Sequence, residues 1–127
     1  MAGLKASWLC AAVLLVGCDV VTSACGEDLS EEPAVAYSEG AVVDETYRSS
    51  SWDSESWLDF PPGLVIEFEH QLDAEPRLVQ VYVAASREDG VLVQASGEEA
   101  EIVAVDSDMI AVRNPSCADL YVVVTAQ

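Results

Sequence analysis

Basic side chains are scarce in this chain: five Lys and Arg stand against 23 Asp and Glu, for a formal net charge of −18. A phosphate backbone is read through clustered Lys and Arg, and no two basic residues here are adjacent, which excludes an ordinary nucleic-acid binder. Anionic headgroups would be repelled as well, so membrane contact has to come through lipid and not through a polybasic face. Catalytic signatures are also missing. There is no Gly-x-Ser-x-Gly elbow, no phosphate-binding loop and no cysteine nucleophile with a free base. Beyond residue 17 no window carries an apolar stripe of period 3.6, and neither a fixed repeat nor a heptad appears. Helix is therefore not the main architecture. The apolar stretch from Ala6 to Val16, broken by Ser7, is about half of the roughly 20 residues that a membrane-spanning helix needs.

The acidic surplus that remains reads as a solvated, solubilising surface, and its distribution divides the chain. From Asp19 to about Ser51 the sequence is rich in Glu, Asp, Ser, Ala and Gly and has no sustained apolar period. Such a segment buries too little to offset its ordering entropy, so residues 18–51 are expected to form a flexible acidic tether, with a short strand at Ala41-Val42-Val43 at most. After Pro61-Pro62-Gly63 the pattern changes to short alternating runs. Leu64, Ile66 and Phe68 alternate with Val65, Glu67 and Glu69, and Val79, Val81 and Val83 with Leu78, Gln80 and Tyr82. Turn signals at Arg87-Glu88-Asp89-Gly90 and Ser96-Gly97-Glu98-Glu99 bracket Val91 to Ala95. Asp106-Ser107-Asp108 joins Ile102 to Val105 with Met109 to Arg113 in a tight hairpin, and Leu120 to Thr125 closes the domain after the loop Asn114-Pro115-Ser116-Cys117. Six strands, with Trp52 to Leu58 as a seventh, predict one small all-β sandwich over residues 52–127. Its pairing should be antiparallel, because each connection is too short for a helical crossover.

The N-terminus carries Lys5, then the apolar run, then Leu15-Val16-Gly17-Cys18. This box resembles the cleavage and lipidation signal of bacterial lipoproteins. The resemblance implies a signal peptide at residues 1–17, removed in the mature protein, and a thioether-linked diacylglyceride on Cys18, whose new amino group is often acylated. It implies a cell-envelope address, with the domain facing the periplasm or the cell surface; a plain secretory signal cut nearer Ala24 is the alternative. Two or three acyl chains, at about 0.8 kcal/mol per buried methylene, would hold a small domain on a membrane. The mature chain keeps four arginines against all 23 acidic residues. Of the four cysteines, Cys10 then leaves with the signal and Cys18 goes to lipid. Cys25 and Cys117 remain as an even pair in an oxidising compartment, and a disulfide is the simple inference. Its closed loop is long, in the range where chain entropy gives up to about 4.7 kcal/mol.

A second likeness lies in the C-terminal two-thirds. Phe68-Glu69-His70-Gln71-Leu72, Pro76, Val79-Gln80-Val81-Tyr82-Val83 and Ile110-Ala111-Val112-Arg113-Asn114 before a Tyr-Val-Val strand resemble small β-sandwich modules of phage tail fibres and some bacterial surface proteins. In such modules these positions organise the sheet and the surface loops bind. Asp73-Ala74 stands where those modules commonly have a glycine after the leucine.

His70, the sole histidine, ends a strand and reads as a hydrogen-bonded structural residue, since catalysis would require partners around it. One His with two Cys that pair with each other cannot close a zinc site. Asp53, Glu55, Asp59, Asp106 and Asp108 offer hard oxygens for calcium but lack EF-hand spacing, and Asp106-Ser107-Asp108 reads as turn chemistry. No metal or cofactor is called for. Trp52 and Trp57 are the candidate ligand-binding residues, Trp57 and Phe60 being expected to bury and Trp52 being open either way. The leading expectation is a non-catalytic, lipid-anchored envelope module with a protein or glycan partner. A lectin-like domain, calcium-dependent or not, or a small hydrolase is the alternative.

Overall fold

The computed structural model describes residues 33–127 apart from residue 89. The signal segment, Cys18 and Cys25 lie outside the described residues. Among those described, ten strands run in chain order: β1 Val35–Tyr37, β2 Ala41–Val43, β3 Thr46–Arg48, β4 Leu58–Phe60, β5 Val65–Glu69, β6 Val79–Ala84, β7 Val93–Gln94, β8 Glu101–Val105, β9 Met109–Arg113 and β10 Leu120–Ala126. One 3-10 turn, Ser54–Ser56, precedes β4. They build an all-β sandwich of a four-stranded sheet, β1-β5-β9-β8, and a six-stranded sheet, β2-β3-β10-β6-β7, with β4 also pairing with β10.

Alternation with a period of two supplies the core. Ile66 and Phe68 of β5, Val81 and Val83 of β6, Ile110 and Val112 of β9, and Leu120, Val122, Val124 and Ala126 of β10 all point into one cluster with Tyr47 and Phe60. Strand β10 is flanked on one side by β6 and on the other by β4 and then β3. Its opposite face is covered too, where Val123 packs with Trp57 and Ala84. Burial on both faces explains why Leu120-Tyr121-Val122-Val123-Val124 is almost continuously apolar. The β8–β9 hairpin forms at Asp106-Ser107-Asp108 as the sequence predicts. The Asp106 carboxylate accepts the N–H groups of Asp108 at 2.7 Å and Met109 at 2.8 Å. These bonds hold its carboxyl below the usual carboxylate range.

Three features differ from the sequence reading. The count is ten strands instead of six or seven. The stretch expected as a tether supplies β1, β2 and β3, so the sandwich begins at Val35 and not at Trp52. These strands have three residues each, too few to show a period, and they are fastened by two tyrosines. Tyr47 is fully buried, while the Tyr37 ring meets Phe68 edge-on at 5.6 Å and its hydroxyl donates to the Ser49 carbonyl at 2.7 Å. Finally, β1 lies parallel to β5, with Val35 opposite Ile66. The short-connection argument applies to successive strands only; residues 38–64 separate this pair, ample for a crossover.

Two turns use left-handed backbone at non-glycine residues. Asp44 and Glu45, at φ 51° and 64°, make the two-residue β2–β3 connection, the geometry of a type I′ hairpin. Asp73 takes φ 61°, a conformation that aspartate tolerates better than most residues.

Candidate ligand site

The site grows from the outer face of the six-stranded sheet. Arg48 lies opposite Thr125, and Ala41 opposite Arg48, so these side chains share that face. After β3 the backbone stays on β10 for one more residue: Ser49 N–H donates to the Val124 carbonyl, and Val124 N–H donates to Ser49 Oγ, both at 2.9 Å. The chain then loops out as far as Trp57 and returns as β4.

That loop is tied down at several points. The Trp57 indole N–H donates to the Trp52 carbonyl at 3.0 Å. Arg87 donates from Nη1 to the Glu55 carbonyl at 3.0 Å and from Nη2 to the Trp57 carbonyl at 2.9 Å and Asp59 at 3.2 Å. Its guanidinium also lies 4.5 Å from the centroid of the Tyr121 ring. Trp57 packs with Val123 and Ala84 and is 3% exposed, and Phe60 is buried in the core, as the sequence suggested. Trp57 therefore presents no face to a ligand, and its candidacy as a binding residue is withdrawn.

Trp52 is different: 46% of it is open to solvent. Its ring meets Tyr82 edge-on at 5.3 Å, and the Arg48 guanidinium sits 5.4 Å from its centroid. Beside it opens a hollow of about 440 Å³ lined by Glu39, Ala41, Arg48, Ser50, Trp52 and Thr125 among others. Ser50 Oγ is sealed from solvent and has no hydrogen-bond partner among the described residues. Of this group the sequence reading singled out Trp52 alone. A usable signal existed in the placement of Arg48, a rare cation four residues before an aromatic in an otherwise acidic stretch.

A second hollow, of about 460 Å³, lies on the four-stranded sheet and is lined by Glu67, Glu69, Asp73 and Asp108 with Gln71 and Ser107. Among the described residues no group of three or more His, Cys, Asp or Glu is placed to hold a metal ion. The calcium candidates are dispersed: Asp59 pairs with Arg87, Asp106 caps its own hairpin, and Asp53 and Glu55 flank the start of the 3-10 turn.

His70 is fully buried. Leu72 N–H donates to Nδ1 at 3.1 Å, which leaves that nitrogen without a proton, so Nε2 carries it and donates to the Asp106 carbonyl at 2.8 Å. Both ring nitrogens are spent on backbone, and the ring ties the β5 end to the β8–β9 hairpin. Burial pushes the phenols of Tyr37 and Tyr47 up, with Glu39 adding to the rise at Tyr37. Among the described residues no helix is long and apolar enough to cross a membrane. Comparison with family models, curated proteins and solved structures returns no match.

Proposed function

We propose that the mature chain is a non-catalytic, lipid-anchored module of the bacterial cell envelope that displays its sandwich to bind a protein or glycan. The observation that carries the binding reading is the open Trp52 ring beside a polar hollow. Aromatic rings with one wet face commonly anchor ligands, and closing the sandwich needs only Trp57 and Phe60. The anchor rests on the Leu15-Val16-Gly17-Cys18 box.

Topology suits such an arrangement. Strand β1 starts opposite Ile66, at the end of the sandwich where Val65 pairs with Arg113 and the loop carrying Cys117 leads into β10. The described chain thus begins at the same end of the sandwich as the loop that carries Cys117, which supports pairing of Cys25 with Cys117. Thr46, Val43 and Thr125 place the hollow toward the opposite end, away from the anchored side. The exposed indole gives the glycan reading an observation of its own. The hydrolase reading gains nothing from His70, whose nitrogens both serve the backbone.

Cys18→Ala should move the protein from the membrane to the soluble fraction, and mass spectrometry of the extracted protein should find an acylated residue 18. An unmodified N-terminus beyond residue 18 defeats the anchor. Thiol labelling under denaturing, non-reducing conditions should leave Cys25 and Cys117 unlabelled. A glycan array with and without calcium, run beside pull-down from envelope extracts, tests binding. The binding reading fails if neither yields a ligand whose capture Trp52→Ala removes.

A further inference from the structure

We infer that the hollow beside Trp52 takes a carboxylate-bearing sugar, with Arg48 receiving the carboxylate and Trp52 the ring. This rests on the reading of that hollow as the binding site. The leading observation is a cation without an anion. Arg87 pairs with Asp59, and Arg113 with Glu101. Arg48 and Arg77 have no carboxylate within 4.0 Å among the described residues, and of the two it is Arg48 that lies against an aromatic ring and lines this hollow, with Glu39 also in its lining.

The Arg48 guanidinium sits 5.4 Å from the Trp52 ring centroid, and a guanidinium has the N–H fork that can give a carboxylate two parallel bonds. Two further groups complete a sugar's needs. Ser50 lines the hollow, and its Oγ, closed to solvent and unpartnered among the described residues, meets a polar ligand only once the side chain turns toward the hollow. Trp52 offers an apolar face that a phosphate or a bare carboxylate would leave unused, whereas the C–H face of a pyranose covers it. The hollow's 440 Å³ falls within the roughly 300–1,000 Å³ of small-ligand sites. Net charge opposes any anion at long range, but at physiological ionic strength that repulsion decays over about 8 Å, and contact with Arg48 decides.

The test is calorimetric titration of the full lipidated chain in detergent with galacturonate, glucuronate and mannuronate tetrasaccharides, with their methyl esters, and with a neutral galactose tetrasaccharide. At least one uronate should bind tenfold or more tighter than its own ester and than the neutral sugar. Arg48→Gln should bring acid and ester level, Arg48→Lys should keep a preference for the acid, and Trp52→Ala should remove all binding while the melting temperature shows the fold intact. Equal binding of acid and ester, or an acid preference that survives Arg48→Gln, overturns the inference and leaves the binding function standing. An Arg48→Gln variant that weakens acid and ester in equal proportion assigns Arg48 to propping Trp52 and overturns it too. Absence of binding to every tetrasaccharide also overturns it, and the proposed function falls with it only if the array and pull-down are empty as well.

Discussion

Replacing Asn114 with aspartate changes one terminal group and should convert a structural staple into a pH-dependent fault. Asn114 is fully buried where the β9–β10 loop closes the end of the sandwich. Its Nδ2 donates to the Phe60 carbonyl at 2.7 Å and the Ala118 carbonyl at 2.9 Å, while Oδ1 accepts from Ser116 N–H at 2.9 Å and Ser116 Oγ at 2.6 Å. In Asn114→Asp the Oδ1 bonds survive, but an ionised oxygen then faces the buried Phe60 carbonyl oxygen and the part-buried Ala118 carbonyl oxygen. Stripping the buried Phe60 carbonyl of its donor costs about 1–3 kcal/mol and the desolvated anion beside it costs more, so the variant should lose about 3–5 kcal/mol at pH 7. Protonation lets the acid donate to one of the two carbonyls and recovers about 2 kcal/mol. The folded-state pKa is then raised about 1.5 units above the unfolded value near 3.9. The recovered stability is present below pH ~4 and lost as pH rises through about 5.5. Urea denaturation followed by tryptophan emission at several pH values, with the parent protein subtracted, measures it. A penalty that is equal at pH 4 and pH 7, or below about 1 kcal/mol at pH 7, would refute the reasoning.

Gly40→Ala should destabilise by about 1–3 kcal/mol in thermal melts, because its Cβ would land on the buried Tyr47 ring; an unchanged melting temperature would deny that approach. Glu45→Gly should stabilise by about 0.5–1 kcal/mol, since glycine removes the left-handed strain of the β2–β3 turn at some cost in unfolded-state entropy; chemical denaturation showing a loss would count against the type I′ geometry. Asp106 should titrate below the ordinary aspartate range, and its folded pKa being depressed, the bonds to Met109 and Asp108 persist above the unfolded pKa and are released as pH falls through the folded one. Carboxyl and amide NMR shifts report this directly, and a midpoint at or above about 3.9 would mean that the carboxylate is not held.

Period-two alternation made β5, β6 and β10 legible, and the Asp-Ser-Asp turn made the β8–β9 hairpin legible, because both are local patterns of side-chain direction and backbone bonding. Charge and composition likewise decided the scarcity of basic patches and the lack of nucleotide-binding and nucleophile motifs. His70 was readable as structural from its isolation, though which backbone groups it joins was not.

Tertiary structure alone decided the rest. Strands β1 to β3 are three residues each, with Tyr47 their one buried residue, and β1 and β3 take their partners from β5 and β10, remote in sequence, so neither propensity nor period could mark them. The same distance hides the site: Arg48, Trp52, Tyr82 and Thr125 meet only because β10 aligns β3 with β6 on one face. Whether Trp52 or Trp57 would stay open depended on which ring the returning loop laid over Val123, a packing choice between two similar residues. Local chemistry determines where a chain can be strand or turn, whereas long-range pairing determines which side chains become neighbours.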